Sequence, residues 1–279
     1  MIRRPRLSFA AALAALVAAA AGVLVARAAP PVRVERNLHY GPDAAQVLDA
    51  FVPVGRPARR RAAVVLIHGG GWREGEKEHY RAAGVALARR GWVAISLDYR
   101  LAPAARFPAP VDDVFAAVRW IRAHSHRFGI DPGRVGALGG SAGGNLAALL
   151  AVRGDVRAAV AWSPPTDLAP LGADPRTHLG GIVAEYLGCA PTACPARYRA
   201  ASPAAQVRRG GSPLLIVNST HELVPLAQAL VLDSRLARAR VPHALTILPG
   251  RLHADAYARE EWAPSLAFLE RYLGPPPRA

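Results

Sequence analysis

The sequence predicts an α/β fold, a doubly wound and mostly parallel sheet of about eight strands with helices on both faces. Two observations carry that expectation. Short, continuous runs rich in Val, Ile, Leu and Ala alternate along the chain with longer helix-patterned stretches. Strands buried on both faces read as such unbroken apolar runs. One of them, Val135-Gly136-Ala137-Leu138, enters Gly139-Gly140-Ser141-Ala142-Gly143 and leaves into the small-residue helical run 145–152. A serine set where a strand turns into a helix sits in a sharp bend, and its neighbours must be small because a Cβ there would clash.

Taken in order, residues 1–28 read as a signal peptide or N-terminal anchor. Arg3, Arg4 and Arg6 precede an Ala- and Leu-rich run from 7 to 25, and Ala26-Arg27-Ala28 offers an A-x-A cleavage site. Cleavage is the favoured reading and retention as a membrane anchor the alternative. Either places the domain outside the cytoplasm, periplasmic or extracellular. The domain itself spans 32–273. Segments 32–35 and 47–52 are expected as edge strands, and 63–67 as a strand buried on both faces, followed at once by His68-Gly69-Gly70-Gly71-Trp72. Residues 80–90 read as an amphipathic helix closed by Gly91, 92–97 as the next buried strand, and 111–128 as one long helix. Asp131-Pro132-Gly133 is a turn into the serine strand, and 158–162 is a further strand. Residues 163–210 are dominated by Pro, Gly, Ala and Thr without a core-sized apolar pattern, so they are expected as a small cap insertion over the site. Strand 214–217, helix 226–240, strand 243–248 and helix 259–273 complete the alternation, and 274–279 form a tail.

Composition narrows the function classes. The chain has 279 residues, 52% hydrophobic and 20% charged, which suits one domain with a full core and excludes a disordered or fibrous chain. The net charge of +15 invites a nucleic-acid reading. Against it, Lys77 is the only lysine, the arginines are scattered among alanines, and no basic block is interleaved with aromatics. No nucleic-acid partner is therefore expected. Cys189 and Cys194 are the two cysteines, and in an exported protein they are expected to form a disulfide contributing about 2 kcal/mol. Further ligands are missing around them, so no metal site is expected.

Ser141 is the candidate nucleophile, at the N-terminus of a helix whose amides favour a developing oxyanion. His253, in the loop after the last strand, is the histidine placed to act as its base. His39, His79, His124, His126 and His178 are expected to be solvated. Three glycines after a buried strand let the backbone approach a substrate closely, so Gly70, Gly71 and the amide of Ala142 are the candidate oxyanion donors. Trp72 is expected to line the acyl pocket and His68 to brace the loop. Asp98, Tyr99 and Arg100 are expected to fix the loop behind it, and Asp112 and Asp113 to favour a helix dipole.

His68-Gly69-Gly70-Gly71-Trp72, Asp98-Tyr99-Arg100-Leu101-Ala102-Pro103, Gly139-Gly140-Ser141-Ala142-Gly143-Gly144 and the distal His253 together resemble an α/β-hydrolase fold esterase. The resemblance is to the hormone-sensitive-lipase-like and bacterial feruloyl/acetyl-ester esterase group and covers roughly residues 40–272. It implies a serine carboxylic-ester hydrolase acting on short-chain acyl or aryl esters, plant-polysaccharide acyl groups among the candidates, with no metal and no organic cofactor. One position departs from the pattern. Such enzymes carry Asp-x-x-Val-Pro after the penultimate strand, whereas here Asn218-Ser219-Thr220-His221-Glu222-Leu223-Val224-Pro225 puts His221 in the aspartate's place. Glu222, adjacent and longer, can accept the Nδ1 proton of His253. Asp167, after strand 158–162, is the alternative acid, and Asp255 lies too near His253 in sequence. A non-catalytic ligand-binding protein on a hydrolase scaffold and a peptidase or amidase of the same fold remain as further readings, the former supported by His221.

Overall fold

The computed structural model describes residues 29–55 and 59–276. The signal or anchor segment 1–28 and the end of the tail lie outside the described residues. Strands β1 (Val32–His39), β2 (Val47–Pro53), β3 (Arg61–Ile67), β4 (Val93–Leu97), β5 (Ile130–Gly140), β6 (Ala159–Trp162), β7 (Leu214–Ser219) and β8 (His243–Leu248) form one sheet. Their order is β1-β2-β4-β3-β5-β6-β7-β8. β2 pairs antiparallel with both β1 and β4, and every other pairing is parallel. β2 is therefore not an edge strand as expected from its sequence, and from Leu48 onward it is buried.

Both faces of the central strands are covered, which is why they read as continuous apolar runs. In β3, Ala63, Val65 and Ile67 enter one core with α2 (Ala109–Ala123), α3 (Ala142–Arg153) and α6 (Leu226–Ala239). Ala62, Val64 and Leu66 enter the other with α1 (Arg81–Arg89) and α7 (Ala258–Leu273). The expected helix 111–128 is divided. His124 stacks on Trp120 at 4.1 Å, and its Nδ1 lies 2.9 Å from the Trp120 carbonyl. The His124 amide still donates to that carbonyl at 2.9 Å, and α2 ends at His124 because its backbone leaves the helical region at φ −99°, ψ 13°. A separate turn, Ser125–Phe128, follows and is closed by Gly129 at φ 65°. The Asp131-Pro132-Gly133 turn falls inside β5 as an irregularity, where the pairing slips between Arg61–Ile130 and Ala63–Val135 and Asp131 Oδ1 accepts the Gly133 amide at 3.0 Å.

Residues 163–210 carry α4 (His178–Leu187) and α5 (Pro195–Ala201). The Cys189–Cys194 disulfide clips the connection between them. Among the described residues no helix is long and apolar enough to cross a membrane.

Candidate active site

The chain adds β4 on one side of β3 and then crosses to place β5 on the other. That reversal opens a crevice at the carboxyl ends of the strands, where ligands bind in open α/β sheets. His68 to Trp72 leave β3 there, Ser141 leaves β5, Glu222 follows β7 and His253 follows β8.

Ser141 has φ 54° and ψ −118°, outside the regions a non-glycine residue ordinarily occupies. Packing on every side holds it there. The Ser141 amide donates to the Trp162 carbonyl at 2.8 Å, and Ala142 begins α3 directly behind. A Cβ on Gly143 would overlap the backbone carbonyls of Ile67 and His68, and one on Gly140 would lie 2.9 Å from Asp255 Oδ1. The elbow thus needs glycine because β3 and the His253 loop press against it.

The turn after β3 runs through positive φ, at 95° for Gly70 and 61° for Gly71, where glycine is at ease, and at 59° for Trp72, which is strained there. Gly70 gives its carbonyl to the amides of Arg73 and Glu74, both at 3.1 Å. Among the described residues no carbonyl takes up the amides of Gly70 or Gly71, and both glycines line the crevice beside Ser141. His68 holds this turn from within, with Nδ1 2.8 Å from the Gly69 carbonyl and its ring stacked on Tyr99 at 4.3 Å. Tyr99 Oη donates to the His68 carbonyl at 3.0 Å. Burial pushes the His68 imidazole down to about 4, so it is neutral at neutral pH, and its 3.9 Å approach to Asp98 is no ion pair. Asp113, expected to serve the dipole of α2, instead lies buried. It accepts the Arg100 amide at 2.9 Å and the Arg100 guanidinium at 2.6 Å, so it fixes the next loop.

His253 Nδ1 hydrogen-bonds Glu222 Oε2. The second oxygen, Oε1, accepts the Ser219 amide at 2.9 Å and the Tyr257 hydroxyl. Burial alone would raise the carboxyl's pKa, but the hydrogen bonds from His253, Tyr257 and the Ser219 amide outweigh it and hold Glu222 below the usual glutamate range. Its side chain is fully shielded from solvent. Asp167 stands just before the turn Leu168–Leu171 without a side-chain capping bond, its amide bonded to Gln228 Oε1 at 2.7 Å, and does not meet His253. His221 points away, exposed, with Nδ1 2.8 Å from Thr220 Oγ1.

A crevice of about 390 Å³ joins these groups, lined by Gly69 to Glu74, Ser141, His253 and, from the 163–210 segment, Pro165, His178, Leu179 and Ile182. His178 thus sits at the crevice. Trp72 reaches it but is 1% exposed, stacked face to face on Tyr186 of α4 at 4.3 Å. Sequence reasoning missed Ile182, Ser163 and Tyr257. Tyr257 follows His253 in the same loop and Ser163 directly follows β6, and those positions were the available signals. Among the described residues no group of three or more His, Cys, Asp or Glu could hold a metal ion.

The chain is 29% identical over 245 residues to esterase LipC of Mycobacterium tuberculosis, a match covering 78% of this chain and 59% of that protein. The chain therefore spans little more than half of LipC. The thermophilic esterase Est2 of the planctomycete Thermogutta terrifontis superposes with a TM-score of 0.68 at 26% identity, over 88% of this chain and 91% of that one. A truncated carbohydrate esterase from gut microbiota superposes at 0.76, with 21% identity over 88% and 98% of the two chains, a likeness of fold. The profile of the BD-FAE family matches residues 48–236. With its sheet order, serine elbow and glycine turn, the chain is an α/β-hydrolase of the BD-FAE family.

Proposed function

We propose that the protein is a serine carboxylic-ester hydrolase whose triad is Ser141, His253 and Glu222. The observation that carries this reading is the strained Ser141 facing the same crevice as a histidine whose far nitrogen is bound to a shielded carboxylate. His253 Nε2 takes the Ser141 proton as Oγ attacks the ester carbonyl, while Glu222 holds Nδ1–H and stabilises the imidazolium. The oxyanion forms against the amides of Gly70, Gly71 and Ala142. Collapse expels the alcohol with the proton from His253. Water, deprotonated by the same nitrogen, then releases the acid and restores Ser141.

The size of the crevice and the wall made by Trp72, Leu179 and Ile182 support short-chain acyl or aryl esters as substrates. The existence of a form of the Thermogutta esterase phosphonylated by sarin supports a reactive nucleophile. The 163–210 segment acts as a cap on one wall of the crevice. Export, by cleavage or retention of segment 1–28, agrees with the disulfide, since such bonds persist in oxidising compartments. The test is hydrolysis of p-nitrophenyl esters from acetate to decanoate by wild type and Ser141→Ala. Turnover abolished in the variant and falling with chain length is expected. Equal, feeble rates in both would leave a non-catalytic binding protein.

A further inference from the structure

Glu222 reaches His253 from one residue beyond the place of the aspartate in the related motif, and on a longer arm. A glutamate has one more rotatable bond than an aspartate, so its carboxylate needs more support to present one oxygen to an imidazole. The structure supplies that support from two elements outside the triad. Tyr257 is completely buried, with its ring edge-on to Trp162 at 6.4 Å. Its hydroxyl meets Glu222 Oε1 on one side and Ser163 Oγ, at 3.0 Å, on the other. Ser163 Oγ also accepts the Ala254 amide at 2.8 Å.

Proton counting fixes the direction of this chain. The ionised Glu222 can only accept, so Tyr257 spends its one proton on Oε1 and must accept from Ser163. Ser163 in turn donates to Tyr257 and accepts from Ala254. Every group is satisfied, and the order runs one way. Ser163 has φ 48° and Ala254, next to His253, also has φ 48°, so two strained residues are joined by this hydrogen bond. The chain ties the carboxyl end of β6, the loop that carries His253 and the loop that carries Glu222 into one unit.

We propose that Tyr257 and Ser163 are positioning residues that fix the second oxygen of Glu222 and thereby aim His253 at Ser141. The proposal rests on Glu222 being the triad acid. The groups that face the carboxylate are His253, Tyr257, the Ser219 amide and Ser163, and with Tyr257 removed only the Ser219 amide holds Oε1 directly.

Tyr257→Phe keeps the buried ring and removes the hydroxyl. Losing a hydrogen bond to a charged group is expected to make kcat fall about tenfold or somewhat more, with KM unchanged, because the crevice itself is not altered. Ser163→Ala should move kcat in the same direction by a smaller factor. The deciding experiment is the double variant. In a Glu222→Gln background, Tyr257→Phe should cost little or nothing further, since its effect passes through the carboxylate. Thermal melts of each variant separate folding from function, and Ser163→Ala supplies the readout if Tyr257→Phe does not fold. A wild-type kcat in Tyr257→Phe, or the same fold-loss in the Glu222→Gln background as in the wild-type one, would overturn the proposal. A wild-type rate in Glu222→Gln alone would remove the triad acid on which the proposal rests. A crippled Glu222→Gln beside an unimpaired Tyr257→Phe would remove the positioning role only.

Discussion

Replacing Glu222 by glutamine preserves the shape of the side chain and removes its charge, and the structure says which way the amide must turn. The Oε1 position receives two donors, the Ser219 amide at 2.9 Å and the Tyr257 hydroxyl. The amide oxygen will take that position, because the alternative sets an NH2 group against both. The NH2 then faces His253 Nδ1, where the carboxylate oxygen Oε2 stood. Two N–H groups cannot share a hydrogen bond, so His253 shifts to the tautomer protonated on Nε2, and that nitrogen can no longer accept the Ser141 proton. The loss in kcat should be on the order of a thousandfold to ten-thousandfold. Most of it should fall on kcat, since neither the oxyanion amides nor the crevice walls are touched. The assay is steady-state hydrolysis of p-nitrophenyl acetate across pH, with a melt to show that the variant is folded. A Glu222→Gln kcat within about tenfold of wild type, beside an Asp167→Asn variant that loses orders of magnitude, would refute the reasoning and transfer the role to Asp167.

Gly143→Ala drives a methyl into two backbone carbonyls that cannot rotate away. A loss of about 3 kcal/mol or more and a Tm lower by roughly 10 °C should follow, and an unchanged melt would contradict the packing of the elbow. Ile182→Ala trims the wall that faces Gly71, where a Cβ would meet Ile182 Cγ2 at 2.9 Å. The kcat/KM ratio of octanoate to acetate esters should rise about tenfold, and a fall would place the acyl chain elsewhere. His68 gives the acid side of the stability curve a definite sign. Its folded pKa of about 4 lies below the unfolded value, so its contribution is fully present above about 6.5 and is lost as the pH falls through about 4. The loss amounts to about 3 kcal/mol, and His68→Gln should flatten the Tm profile in that window. An identical slope in the variant would show that His68 is not buried neutral.

Much of the fold was legible because strands buried on both faces announce themselves as apolar runs, as residues 62–67 of β3, all of β6 and residues 214–217 of β7 do. β2 was misplaced at an edge because its one polar interior residue, Asp49, breaks the run. In the structure Asp49 is buried and lies 3.5 Å from the ammonium group of Lys77, also buried. The long helix 111–128 concealed its break because α2 ends by a change in the backbone angles of His124, which periodicity does not register. Ser141, His253 and the three glycines stood out because each is a residue type with a narrow chemical use at a strand end. Glu222 and Asp167 could not be separated by sequence, since both follow strands, and only the fold brings Glu222 to His253. Tyr257 and Ser163 were invisible for a different reason. They act by hydrogen bonds across 94 positions of chain, and no local pattern reports that pairing.

In the proposed reaction Ser141 is a nucleophile made reactive by His253. The most direct test is intact-protein and peptide mass spectrometry after treatment with diethyl p-nitrophenyl phosphate, which phosphorylates activated serines. A single diethylphosphoryl adduct on the peptide holding Ser141, absent in Ser141→Ala and strongly slowed in His253→Ala, is the expected result. No adduct on a folded wild-type protein, or an adduct that persists in Ser141→Ala with undiminished esterase activity, would contradict the account.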